Sequence, residues 1–320
     1  MPFSKRPTRR SAFLLVLTFA WSLQTIAGEL YTFTSGENGF KTHSVFYDDG
    51  EEVIVVDAQF LPSIADQLID TIRDKTDSPI TKVIVTHPNP DKFNGLGRFK
   101  ELGAEIISSE ATADDLPMVH AYKRNFWVNV AGAIKAEDYP ELTKIDVTYS
   151  NKKVLTTKTG EHITLIQLPG DAMSSDHTVV LFNDKDALFV GDLIHNGTHA
   201  WLEGPLHNGV PQPNISAWIK TLERLGDIDA HKVLGGRGDW GDLDNSVEEQ
   251  IVYLQRVDDI IDEYIQSNEK LTTELASTEA AQKHYSLVTD QIGDAFPAYK
   301  MPAMVQYSVY ALLNQRAKPD

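Results

Sequence analysis

Short apolar runs rich in β-branched residues recur along most of this chain, and they limit its fold more than any other feature. SVFYDD into EEVIVVDA, KVIVTH, AEIISSE, HITLIQLPG, HTVVLFN, DALFVGD and HKVLGG each read as a strand. Helical patterns separate only some of them. LPSIADQLIDTIRDKT repeats Ile64, Leu68 and Ile72 at fourfold spacing, which is one face of a helix. PDKFNGLGRFKELG reads as a short helix ending at Gly103, because glycine accepts the left-handed position beyond a helix end. Paired strands, then strand–helix–strand units, then paired strands again predict an α+β, four-layer αββα sandwich rather than a doubly wound parallel sheet.

Two stretches depart from this rhythm. MVHAYKRNFWVNVAGAIKAEDYPEL mixes aromatic and polar residues and reads either as an insertion lining a pocket or as an ordinary core helix. From Asn245 the chain turns helical, with Ile251, Leu254, Val257 and Ile261 on one stripe. The acidic run from Asp258 to Glu263 reads as a solvated helix face rather than a magnesium site. The expected division is a signal peptide over 1–27, a main domain over 28–244, and a helical extension over 245–320 packed on it.

The N-terminal segment carries Lys5, Arg6, Arg9 and Arg10, then AFLLVLTFAW, then small residues at Thr25 and Ala27. That order is a secretory signal, too short and asymmetric for a membrane span. Its removal would take the formal charge from −17 to −21. Such acidity argues against nucleic acid or an anionic membrane surface as partner. The chain has no cysteine, which excludes disulfides, thiolate zinc sites, Fe–S clusters and a cysteine nucleophile. An exported chain without disulfides points to the bacterial periplasm. No membrane span is expected after signal cleavage, and the expected partner is a small molecule.

Chemistry concentrates where strands end. KVIVTHPNPDKFNGL places His87, Asn89, Asp91 and Lys92 on a loop entering a helix, a favoured place for a metal or anion. ALFVGD brings Asp192 to another strand end, and HKVLGGRGDW puts Arg237 on a glycine-rich turn after a third. No Gly-x-Ser-x-Gly elbow or Walker A sequence is present.

In order and spacing these segments resemble the metallo-β-lactamase superfamily over about residues 30–240. Its motifs are Thr-His-x-His-x-Asp-His after a strand, a His in a Pro-Gly-x-x-His or Gly-His-Thr loop before a Thr-Val-Val strand, a Gly-Asp, and a final His in a Gly-His-Gly turn. The resemblance implies a hydrolase-like fold in which these residues hold one or two zinc ions that activate water. Carried over position by position, His87, Asp91 and Asp192 are retained. Asn89 and Lys92 replace histidines, Met173 falls at the ligand position before His177, and Arg237 replaces the last histidine.

Zinc takes His, Cys or carboxylate in nearly all sites, so an amide plus a thioether is a weak substitute. A dication about 4 Å from one cation is repelled by about 8 kcal/mol at an effective dielectric near 20. No standard dizinc centre is therefore expected, and His87, Asp91 and Asp192 are the residual candidates for a single ion. Lys92 and Arg237 would instead neutralise the two carboxylates as an ion-pair network. His195, His199, Glu203 and His207 offer a relocated set close after Asp192.

Two functional readings follow. The first is a hydrolase-like protein whose pocket takes a small, anionic molecule, with Asp91, Lys92, Asp192 and His195 catalytic and Asn89, Met173, His199 and Arg237 binding substrate. The second is a non-catalytic binding or scaffolding protein descended from a zinc hydrolase.

Overall fold

The computed structural model describes Met1 and residues 28–317. Apart from Met1, the expected signal segment lies outside the described residues. The first sheet holds β1 (Glu29–Thr34), β2 (His43–Asp48), β3 (Val53–Val56), β4 (Ile80–Ile84), β5 (Glu105–Ser109) and β6 (Val147–Tyr149), in that spatial order. β1, β2 and β3 pair antiparallel, and β3 to β6 run parallel. The second holds β7 (Lys152–Thr156), β8 (His162–Pro169), β9 (Asp176–Phe182), β10 (Ala187–Phe189), β11 (Lys232–Leu234) and β12 (Gly241–Asp242). It is antiparallel except between β10 and β11.

The runs of β-branched residues form central strands because both faces of each sheet are covered. Ile54, Val56, Ile84 and Ile107 of the first sheet meet Leu165, Val180, Phe182 and Leu234 of the second in one inner layer. The alternate residues Val53, Val55, Val83 and Ile106 face outward. There they pack under α1 (Pro62–Arg73), α3 (Leu96–Glu101) and α4 (Glu110–Arg124). Val179, Leu188 and Val233 face the other way, under α5 (Ile215–Gly226) and α6 (Leu243–Gln266). The result is the expected αββα sandwich.

Local sequence marks the starts of α1 and α6. Pro62 stands at the start of α1, where its missing N–H costs nothing and its φ is preset. At α6 the Asp242 carboxylate accepts the Asn245 N–H at 3.1 Å. Beyond α6 lie α7 (Leu271–Glu274), α8 (Thr278–Ala295), α9 (Ala303–Gln306) and α10 (Val309–Arg316). Val288, Ile292, Val305, Leu312 and Leu313 share one apolar core with α5, α6 and the second sheet. The acidic run on α6 is partly clamped, since Arg316 pairs with Asp258 and with Asp262 at 3.0 Å. No helix among the described residues is long and apolar enough to cross a membrane.

Candidate functional site

The parallel strands β3, β4, β10 and β11 release their chains at one end of the sandwich. Asp57 follows β3 with φ +66°. Its buried carboxylate accepts the Thr86 N–H at 2.9 Å and the Thr86 hydroxyl at 2.9 and 3.0 Å. This ties the loop after β3 to the loop after β4. Burial pushes the Asp57 carboxyl up to about 7. The short helix α2 (Pro90–Phe93) starts on Pro90 and points Asp91 and Lys92 inward. Asp192 follows β10, and Arg237 follows β11 through Gly235 and Gly236. Gly236 is required there, because a Cβ would stand 2.0 Å from Asp192 Oδ1 and 2.9 Å from Lys92 Nζ.

These four ends converge on a buried quartet of charges. Lys92 Nζ lies 2.9 Å from Asp91 Oδ2 and 2.9 Å from Asp192 Oδ1. Arg237 Nη2 lies 2.8 Å from Asp91 Oδ2, and Nη1 lies 2.8 Å from Asp192 Oδ2. The remaining Arg237 contacts are Nη2 to Thr42 Oγ1 and Nε to the Phe40 carbonyl, each at 2.9 Å. Burial alone would raise the carboxyls; Arg237 and Lys92 outweigh it and hold Asp192 well below the usual carboxylate range. Asp91 is lowered in the same way, by Lys92 and then Arg237. Burial would likewise lower Lys92 and Arg237, and the two carboxylates reverse it.

Three neutral imidazoles lie behind the quartet. His87 Nδ1 shares a hydrogen bond with Thr86 Oγ1 at 2.9 Å, while its Nε2 has no hydrogen-bond partner and stands 3.8 Å from Asp192 Oδ2. Burial pulls its pKa down to about 4. His177 accepts the Ser174 N–H at 3.2 Å, and its ring centroid is 5.5 Å from that of His87. His195 packs edge-on to Trp218, with neither ring nitrogen partnered, and burial pulls it down to about 3.

A cavity of about 30 Å³ remains above Asp91, Asp192 and Arg237. That is room for about one water. Phe40, Phe60, Trp127, Trp201 and Met304 wall it, with Asn89 and Lys123 at its edge. Trp127 closes this wall, its ring centroid 5.3 Å from Phe40 and 5.4 Å from Phe60.

Sequence reasoning brought together His87, Asp91, Lys92, Asp192 and Arg237, and the fold does the same. Met173 and His199 lie apart from these five, while His195 sits directly behind them. Met173 lies in the apolar core with α5 and α6 and lines a separate small cavity with Asn89 and Glu203. His195 pairs with Arg237 in a short two-stranded bridge, behind the quartet and off the cavity wall. His199 points elsewhere, its Nδ1 3.3 Å from the Tyr253 hydroxyl and its ring beside Tyr299. The relocated set is likewise scattered. Residues 197–205 run as a loop turned by Gly197 (φ +66°) and Gly204 (φ +74°), so no helical face gathers it. Glu203 pairs with Lys123 instead, and the exposed His207 lies 2.9 Å from Asp171.

The buried Lys123–Glu203 pair beside the cavity is one the sequence did not reveal. Glu203 also accepts from Trp201 Nε1 at 3.0 Å, from Tyr122 at 3.1 Å and from Tyr310. Lys123 lies 5.0 Å from the centre of the Trp201 ring, within cation–π range. Both readings of the stretch after residue 115 hold in part. Leu116 and Val119 enter the core, whereas Lys123 and Trp127 line the cavity. Only its mixture of aromatic and charged residues hinted at the second role.

The fold and its strand-end loops define a class of αββα proteins, and comparison with known proteins fixes which. Residues 38–237 match the model of the Metallo-beta-lactamase superfamily. A metallo-beta-lactamase type 2 of Elizabethkingia meningoseptica is 23% identical over 250 residues, covering 76% of this chain and 86% of that protein. One of Bacillus cereus is 24% identical over 212 residues, covering 65% and 71%. Among solved structures, a metallo-beta-lactamase from Pontibacter korlensis superposes with TM-score 0.54 at 20% identity, covering 72% of this chain and 95% of that one. TMB-1 does so with TM-score 0.51 at 18% identity, covering 72% and 94%. The chain belongs to the metallo-β-lactamase superfamily. The family match ends at Arg237, so α6 to α10 lie beyond it.

Proposed function

We propose that this chain is a non-hydrolytic member of its superfamily, exported to the bacterial periplasm, in which an ion-pair quartet replaces the dizinc centre. Its role is binding or scaffolding. The observation that carries this reading is the guanidinium of Arg237, which bridges Asp91 and Asp192 at 2.8 Å each.

The donors present do not fit two zinc ions. Both retained carboxylates already face Lys92 and Arg237, and arginine does not deprotonate to make way for a dication. The unpartnered Nε2 of His87 is one suitable donor, but Met173 is turned into the core. Among the described residues no three His, Asp or Glu side chains stand close enough together to share an ion.

The same pairing weighs against catalysis without metal. A general base must reach the reacting group, yet Asp91, Lys92 and Asp192 are engaged with one another and His195 does not line the cavity. It also weighs against an anionic ligand there, since both cations already face carboxylates. Within the aromatic wall about 30 Å³ remains above the quartet, the room of about one water.

Elemental analysis of the purified mature protein tests the reading. Well under one zinc per chain is expected, and near two equivalents would overturn it. Restoring histidine with Asn89→His, Lys92→His, Met173→His and Arg237→His together should raise zinc content only if Met173 can be drawn out of the core. The export half is checked by the mass of the periplasmic form, expected to begin at Gly28.

A further inference from the structure

A second cavity, of about 460 Å³, opens between the end of α4 and the C-terminal helices. Its volume lies in the range of small-molecule sites, roughly 300–1,000 Å³, and far exceeds the space over the quartet. The wall on one side is a π-helical turn, Asn125–Val130, an irregularity frequent at functional sites. α8, α9 and α10 supply the other.

The lining is chemically selective. Tyr122, Phe126, Tyr285, Tyr307 and Tyr310 supply five aromatic rings. The hydroxyls of Tyr122 and Tyr310 are bonded to each other at 2.9 Å and to Glu203, and that of Tyr285 donates to Asn314 at 3.0 Å. These residues therefore offer the cavity mainly ring carbon. Asn125, Gln282 and Gln306 add three amides. The Asn125 carbonyl oxygen is taken by Asn129 at 2.9 Å, leaving its NH₂ to donate. Gln282 and Gln306 have exposed side chains with no hydrogen-bond partner among the described residues. No Asp, Glu, Lys, Arg or His lines the cavity, in a chain of net charge −17.

We propose that this cavity binds an uncharged, hydroxyl-bearing ring compound of saccharide type. The negative face of an aromatic ring attracts the weakly positive C–H face of a sugar, and neutral amides both donate to and accept from hydroxyl groups. A charged ligand would find no counter-ion. A purely apolar one would leave the hydrogen-bonding capacity of the three amides unused. The site stands apart from the quartet and does not depend on whether zinc binds there.

Trp127 gives the experiment its signal. It sits next to Phe126 in the π-helical turn, and its ring centroid is 6.2 Å from that of Tyr307. The mature protein is titrated with cellobiose and chitobiose as uncharged disaccharides, glucuronate as a charged sugar, and 2-naphthol as an apolar ring. Saturable quenching or calorimetric binding is expected with an uncharged disaccharide and at least tenfold weaker with glucuronate. Tyr307→Ala and Gln306→Ala should each weaken it about tenfold or more. Both residues are exposed (Tyr307 at 41%), so both variants should fold, as thermal melts will verify. Binding of 2-naphthol without either disaccharide overturns the proposal. So does the absence of binding at millimolar sugar, or binding that neither variant changes.

Discussion

Arg237 Nη1 lies 2.8 Å from Asp192 Oδ2, with both side chains buried at the ends of two neighbouring parallel strands. The pair joins the loop after β10 to the loop after β11, and Lys92 and Asp91 join it to α2. Taking such charges out of water costs several kcal/mol each, and mutual attraction repays this only while the set is complete. The quartet is therefore expected to behave as a unit.

Arg237→Met should leave two buried carboxylates facing one lysine. A loss of about 3–5 kcal/mol is expected, as for breaking other buried pairs. Urea unfolding measures it. Arg237→Lys should recover only part of the loss, because an ammonium cannot span both carboxylates as the planar fork does. A change below about 1 kcal/mol for Arg237→Met would mean that the quartet contributes little to the fold.

Two glycines should respond in opposite directions. At Gly236 a methyl group would stand 2.0 Å from Asp192 Oδ1, so Gly236→Ala must displace a buried carboxylate and should cost more than about 2 kcal/mol. Gly226 ends α5 with nothing within 4 Å of an added Cβ. Gly226→Ala should stabilise by about 0.4–1 kcal/mol, by restricting the unfolded chain. Equal effects at the two positions would contradict the close packing around Asp192.

Stability should fall in mild acid. Burial lowers His87 to about 4, His195 to about 3, and His177 well below its ordinary value. Unfolded, each titrates near 6.5, so below that pH the unfolded chain binds more protons and the folded state loses ground. Asp57 opposes this. Its carboxyl is raised to about 7 by burial, so between its unfolded value near 3.9 and about 7 the folded state holds the extra proton. Burial lowers His43 and His199 as well, so five histidines oppose one aspartate and the net effect of acid below about 6.5 is a loss of stability, fading near the folded values. Urea midpoints at pH 6.5 and 5.0 check the sign. His195→Leu should flatten the slope by about one proton. Equal or greater stability at pH 5.0 would refute the buried, neutral imidazoles.

How much was legible followed from how local each signal was. The central strands could be read because burial on both faces writes a continuous apolar run into the sequence, as in EEVIVVDA and HTVVLFN. The strands that went unread, β1, β6, β7 and β12, are the four sheet edges. They are partly exposed, as in KKVLT of β7 with only Leu155 buried, so their sequences carry no such run.

The loop after KVIVTH placed His87, Asp91 and Lys92 together, and the family resemblance joined Asp192 and Arg237 to them, because those loops leave the sheet at one end. By itself the sequence determined the sandwich, its family and which side chains its strand-end loops carry. Only the tertiary structure decided that Met173 and His199 face other cores, that Lys123 meets Glu203 across 80 residues of chain, and that Trp127 and Trp201 close the space above the charges. Those outcomes depend on how separate layers pack around one another. A side chain 80 residues away leaves no periodic trace in the sequence beside its partner.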